Sequence, residues 1–254
     1  KAESRGLGDV YKRQVLIIVM SVMNGFRTEL VNKIVGFNAH ITVKPYSEKI
    51  KISDNNKKVL DTFSSEFILS NSGEAIIIKN DISKGILLRG YNNKDFSKLR
   101  IVKDEKFIGD KNSLTKNHIS IGKELSFILD LKIGDNITLL SSSGVETIIG
   151  NLPKQKTFKV TSLYESGLID FDSNIAFINL NTLEEFFNLN SNERNLEIYL
   201  KNPQNIDKQK NFVQKIFPTE FVYSWSDMNK SLFSALNVER NVLFIILSLI
   251  IIVA

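Results

Sequence analysis

At 254 residues with a formal net charge of +5, the chain is long enough for one or two domains and only mildly basic. An apolar fraction of 43% is too low for a polytopic membrane protein, and the scattered lysines form no dense stripe for nucleic acid. The absence of cysteine excludes disulfides, Cys-based zinc sites and thiol catalysis.

Residues 1–14 end in DVYKRQ, which resembles the translated end of a sequencing-library adapter. They are read as non-native and set aside from fold reasoning. Two apolar runs follow, VLIIVMSVM (15–23) and, at the other end, VLFIILSLIIIVA (242–254). Each is shorter than the roughly 20 residues that cross a bilayer, and each is cut at its outer edge. Both read as truncated transmembrane helices. After the first run, Val19, Met23, Phe26, Leu30, Ile34 and Phe37 recur at helical spacing, which predicts a helix continuing to residue 37. Glu29 and Lys33 add an i,i+4 pair on its polar side.

The middle alternates strands and helices. AHITVK (39–44) predicts a strand, and NNKKVLDTFSS (55–65) a short helix with Val59, Leu60 and Phe63 inward. EAIIIKN and GILLRGY are strands around a turn at 80–85. From His118 the pattern predicts a strand, a helix over 123–129, a turn at 132–135 and a strand over 136–140. KTFKVTSLYESG and SNIAFINL are further strands, and NTLEEFFNL is a helix capped by Asn181. LEIYLKN, NIDKQKNFVQKIF and EFVYSW then repeat strand–helix–strand. Ser226 is a candidate cap for a last helix that carries Met228, Leu232, Ala235 and Leu236 into the second apolar run. The fold class expected is α+β: a split strand–helix–strand subdomain (38–100 and 191–225) interrupted by a β-rich one (101–190), with helices at 15–37 and 226–254.

No catalytic set emerges. His40 and His118 stand far apart in sequence without metal-ligand spacing, and each reads as structural. SIGKEL lacks the rest of a phosphate-binding loop, and no Gly-x-Ser-x-Gly elbow exists. Glu184 and Glu185 are adjacent on a helix and predict a solvated face. Neither a cofactor nor a metal is expected on this chain.

SVMNGFRTELVNKIVGFNAHITV (21–43) resembles the end of the first membrane helix of the LolC/LolE lipoprotein-releasing permeases, a family with a MacB-like periplasmic domain. GNLPKQKTFKV (150–160), ISIGKELSFILDLKIGDNITL (119–139) and SWSDMNKSLFSALNVERNVLFIILSLIIIVA (224–254) are similar to other parts of the same family. The resemblance implies a fragment of a permease subunit that extracts lipoproteins from the bacterial inner membrane, its main domain in the periplasm. It implies as partners a LolD-like ATPase, a second permease of the same type, the periplasmic carrier LolA and the lipoprotein itself. By the Gly-x-x-Pro match, a carrier-binding hairpin would hold Gly144, Val145, Ile148, Ile149, Leu152 and Pro153, with a turn at 143–144. Gln155 and Lys156 would form an adjacent pad. Met20, Met23, Phe26, Phe233 and Leu236 would line a lipid-facing or coupling helix pair. A MacB- or FtsX-like permease with another substrate, or a membrane-tethered adaptor without transport, are the alternatives.

Overall fold

The computed structural model describes residues 2–253 apart from 80, 81, 113, 148, 149, 204 and 205; the side chains of 2–13, 16, 142, 143, 145–147, 150, 151, 237, 247 and 250–253 also lie outside the description. The chain falls into two units, Lys1–Val35 with Trp225–Ala254, and Gly36–Ser224.

The first unit is helical. Helix α1 (Ala2–Phe37) includes the expected helix at 15–37, and its backbone also takes in residues 2–14. At the other end α9 (Trp225–Met228) and α10 (Lys230–Val253) replace the single helix expected from Ser226. Helix α9 begins one residue earlier than that cap, at Trp225. The break falls at Asn229, whose side-chain amide donates to the Trp225 carbonyl at 2.8 Å. Among the described residues no helix is long and apolar enough to cross a membrane.

The second unit is built on one mixed sheet. Strand β1 (Ile41–Lys44) leads to α2 (Asp54–Phe63), capped by Ser53, whose Oγ accepts the Asn56 N–H at 3.1 Å. Strands β2 (Ser64–Lys79) and β3 (Ile82–Tyr91) pair antiparallel to Lys79 opposite Ile82, so β3 begins within the turn expected at 80–85. The short helices α3 (Asn93–Phe96) and α4 (Arg100–Lys103) and the two-residue β4 (Ile108–Gly109) precede β5 (His118–Gly122) and α5 (Lys123–Ile128). Strands β6 (Asn136–Thr147) and β7 (Gly150–Tyr164) form a long hairpin. Helix α6 (Ile169–Asn174), β8 (Ile175–Asn179) and α7 (Leu180–Phe187) follow. The cap of α7 is Asn179, which accepts the Asn181 N–H at 3.1 Å, two residues before the expected one. Strand β9 (Asn195–Leu200), α8 (Ile206–Ile216) and β10 (Phe221–Ser224) complete the unit.

The strand order is β10-β1-β9-β2-β3-β8-β5-β7-β4, with β6 lying against β2 and β7. The chain-terminal strands therefore gather at one end, and those of residues 82–179 at the other. The sixteen-residue β2 runs through both, pairing β9 with its first half and β3 and β6 with its second. The fold is mixed α/β. One sheet holds strands from residues 38–100 and 191–225 as well as from 101–190.

Burial follows the alternation of each strand. Ile41, Val43, Leu196 and Ile198 pack with Leu60 of α2 and Val213 of α8. At the far end Ile77, Leu88, Ile119 and Phe158 pack with Leu125 of α5 and Leu183, Phe186 and Phe187 of α7. A third cluster gathers Phe37, Tyr91, Phe96, Tyr164 and Phe177. Helix α7 comes so close to β2 that a Cβ on Gly73 would stand 2.7 Å from the Phe187 ring, whereas one on Gly85 would meet nothing within 4 Å. Gly73→Ala is therefore expected to destabilise the domain by about 1–3 kcal/mol through overpacking. Gly85→Ala should cost nothing. Urea unfolding midpoints of the two variants check this, and equal midpoints would contradict the packing of α7 on β2.

Candidate functional site

Three places carry side chains that packing alone does not explain. The first is the β6–β7 hairpin. Its register runs from Asn136 opposite Lys159 to Thr147 opposite Gly150. The reversal thus lies beyond Thr147, and the turn expected at 143–144 is part of β6. Between Leu140 and Gly144 three residues of β6 oppose Lys154 alone, a bulge that bends the ribbon. Strand β6 pairs with β2 only over Thr138–Ser141, so beyond the bulge its register is with β7. Gly144 and Val145 stand opposite Pro153 and Leu152; Ile148 and Ile149, and the side chain of Val145, lie outside the described residues. Leu152 is 54% exposed.

The base of this ribbon is fastened by a residue the sequence reading passed over. Lys154 Nζ donates to the Glu185 carbonyl at 2.8 Å and to Asn188 Oδ1, where α7 ends in a left-handed residue. Lys156 turns the same way, 3.9 Å from Glu185 and over the Phe158 ring. Gln155 is exposed on the opposite face, because alternate strand residues point to opposite sides. Gln155 and Lys156 therefore flank the ribbon from opposite faces. Glu184 is likewise buried, not solvated: Arg194 grips it through Nε at 2.7 Å and a terminal nitrogen at 2.8 Å.

The second place is a crevice in the helical unit. Met20, Met23, Asn24, Phe26 and Arg27 of α1 and Leu236, Glu239, Arg240 and Leu243 of α10 line it. Four of the five residues expected on a lipid-facing pair thus come together. Phe233 does not join them; its ring packs edge-on against Trp225 at 5.0 Å.

The third place is a buried polar cluster between β9, β2 and β3. Glu197 accepts from Ser70 Oγ at 2.6 Å, Arg89 at 3.0 Å, Tyr91 at 2.9 Å and Tyr199 at 2.9 Å. Arg89 also reaches Asn38 Oδ1 at 3.4 Å and lies over the rings of Phe37 and Tyr91. Burial by itself raises the Glu197 carboxyl. The Arg89 guanidinium and the hydroxyl donors outweigh it and hold the group below the usual carboxylate range. Burial pushes the Tyr91 and Tyr199 phenols well up. The sequence signal for this cluster was a lone Arg in GILLRGY and a lone Glu in LEIYL, two opposite charges in apolar strands. The histidines serve local structure: His40 Nδ1 accepts the Leu200 N–H at 2.7 Å, and His118 Nδ1 meets Thr115 Oγ1 at 2.9 Å.

No family model matches the chain. Among curated proteins, the lipoprotein-releasing system transmembrane protein LolC of Neisseria meningitidis serogroup B is 26% identical over 256 residues, covering 94% of this chain and 59% of that protein. LolC of Buchnera aphidicola subsp. Schizaphis graminum is 28% identical over 242 residues, again covering 94% and 59%. This chain is similar to LolC over nearly all its length. It spans about three fifths of the curated LolC proteins it matches. The periplasmic region of MacB from Actinobacillus actinomycetemcomitans aligns with a TM-score of 0.47 at 11% identity, covering 78% of this chain and 95% of that one.

The Glu197 carboxyl is depressed in the fold, so its stabilisation is complete above the ordinary unfolded value of about 4.3 and is lost as pH falls through the folded value. Unfolding free energy is expected to fall below about pH 4.3, and Glu197→Gln should remove that part of the fall. At pH 7, Glu197→Ala should cost about 3–5 kcal/mol by leaving Arg89 buried and unpaired. Denaturant titrations at pH 7 and pH 3 measure both effects.

Proposed function

We propose that this chain is part of a permease subunit of an ABC-type complex that releases lipoproteins from the bacterial inner membrane. The observation that carries the reading is the match to curated LolC proteins along 94% of the chain. In this reading the α1 and α10 apolar runs are membrane parts, and Gly36–Ser224 is a periplasmic domain. A separate LolD-like subunit hydrolyses ATP, and a second LolC/LolE-type permease completes the pair. The chain needs no catalytic residue of its own, because its work is to move helices and present surfaces.

The hairpin is the surface we assign to the carrier LolA. Its bend at the bulge, the fastening of its base by Lys154 and the exposure of Leu152 support this. An exposed apolar side chain on a two-stranded arm fastened at its base is suited to enter a partner's pocket. Gly144, Val145 and Pro153 share the arm; Ile148 and Ile149, assigned to it by the family resemblance, lie outside the described residues. Gln155 would meet the carrier from one face of its base and Lys156 from the other. The crevice of Met20, Met23, Phe26 and Leu236 is the place where the helix pair would meet an acyl chain, whose extraction from lipid costs about 0.8 kcal/mol per buried methylene.

A photo-crosslinking residue in place of Leu152 is expected to give an adduct with LolA in a folded chain, and one in place of the exposed Lys57 on α2 should give none. No adduct at Leu152, or equal adducts at both positions, would remove the carrier assignment.

A further inference from the structure

The buried cluster around Glu197 does more than satisfy its own charges. Strands β9 and β3 flank β2, and Glu197 and Arg89 join them across it. Ser70 of β2 supplies the bond between, and Tyr91 and Tyr199 close the ring from β3 and β9. One terminal nitrogen of Arg89 faces Glu197; the other faces Asn38. The guanidinium also lies 5.8 Å from the Phe37 ring centroid. Phe37 is the last residue of α1, and Asn38 the first after it. The Phe37 ring is itself wedged among Phe171, Tyr164 and Phe177, at centroid distances of 4.7, 5.9 and 6.1 Å. Three things thus meet at one planar cation: the strand that returns from the second half of the chain, the strand that leads into the middle, and the point where the chain enters the sheet.

We propose that Arg89 is a latch that couples the chain's entry at residues 36–40 to the two strands that flank β2, so that these parts move as one body. A fork with fixed geometry is required for this. Two partners on opposite arms, with an aromatic face beneath, suit a guanidinium and not an ammonium. An apolar cluster of the same volume would fill the space without fixing which way residues 37 and 38 point, since dispersion contacts carry little direction. The latch operates whether or not the chain takes part in transport. It makes any displacement delivered to residues 36–40 a displacement of β9 and β3 together.

Arg89→Lys is the test. It keeps the positive charge beside Glu197 and loses the arm that reaches Asn38 and the plane that lies on Phe37. Hydrogen exchange of the intact chain, read by mass spectrometry, is expected to speed up on the order of tenfold in residues 36–40, a ratio equal to about 1.4 kcal/mol. Peptides covering β5 and the second half of β7 should exchange as before. Wild-type protection at 36–40, or an equal rise across the whole sheet, would overturn the proposal. Should Arg89→Lys fail to fold, Asn38→Ala removes the partner of the outer arm while keeping the guanidinium, and is expected to speed exchange in the same segment. Unchanged exchange there would equally overturn it.

Discussion

The ion pair between Arg89 and Glu197 is the constraint on which the sheet's arrangement depends. Two charges taken out of water cost several kcal/mol each unless every lone pair and proton is matched. Here that cost is offset in large part: four donors converge on one carboxylate, and the guanidinium is shared between Glu197, Asn38 and two aromatic rings. That matching is possible only when β9 and β3 lie on either side of β2 in one register. A one-residue slip of β9 would turn Glu197 to the opposite face, among Leu60 and Val213. The pair therefore specifies register as much as it adds stability.

From that fixed centre the rest is arranged outward. Apolar alternation builds a core under α2 and α8 at one end and under α5 and α7 at the other. Helix α7 in turn holds the root of the hairpin through Lys154. The arm that projects is thus tied, through α7 and β2, to the strands that hold the ion pair. A surface meant for a partner gains from such fastening, because less entropy is lost when an already held segment docks. The helical unit shows a different logic: two methionines and two leucines face a crevice bordered by Glu239 and Arg240, an apolar lining beside charged groups.

Much of the sheet was readable in the sequence. AHITVK, LEIYLKN and EFVYSW each sit on a strand, and the helices at 54–63 and 206–216 follow their apolar spacing. The misread strands share one cause: small polar residues that signal loops but lie in strands. Ser64, Ser70 and Asn71, all buried, hid the first half of β2, and Ser143–Gly144 read as a turn although β6 passes through them. Ser70 is there to bond Glu197, and Ser64 to bond the Leu60 carbonyl, so local composition could not reveal them. For the same reason the pairing of Arg89 with Glu197 is invisible along the chain, where 108 residues separate them. The hairpin's position was legible through the family resemblance. Its bulge and the facing of Gln155 and Lys156 needed the register.

The functional account rests most heavily on the claim that this domain works within a lipoprotein-releasing permease. Reconstitution of the full-length protein in proteoliposomes, with its ATPase partner, a second permease copy and an acylated lipoprotein, measures that claim directly. The account predicts that ATP and the carrier together bring the lipoprotein into the soluble fraction as a carrier complex. Lipoprotein that stays in the membrane while ATP is hydrolysed and carrier is present would contradict it.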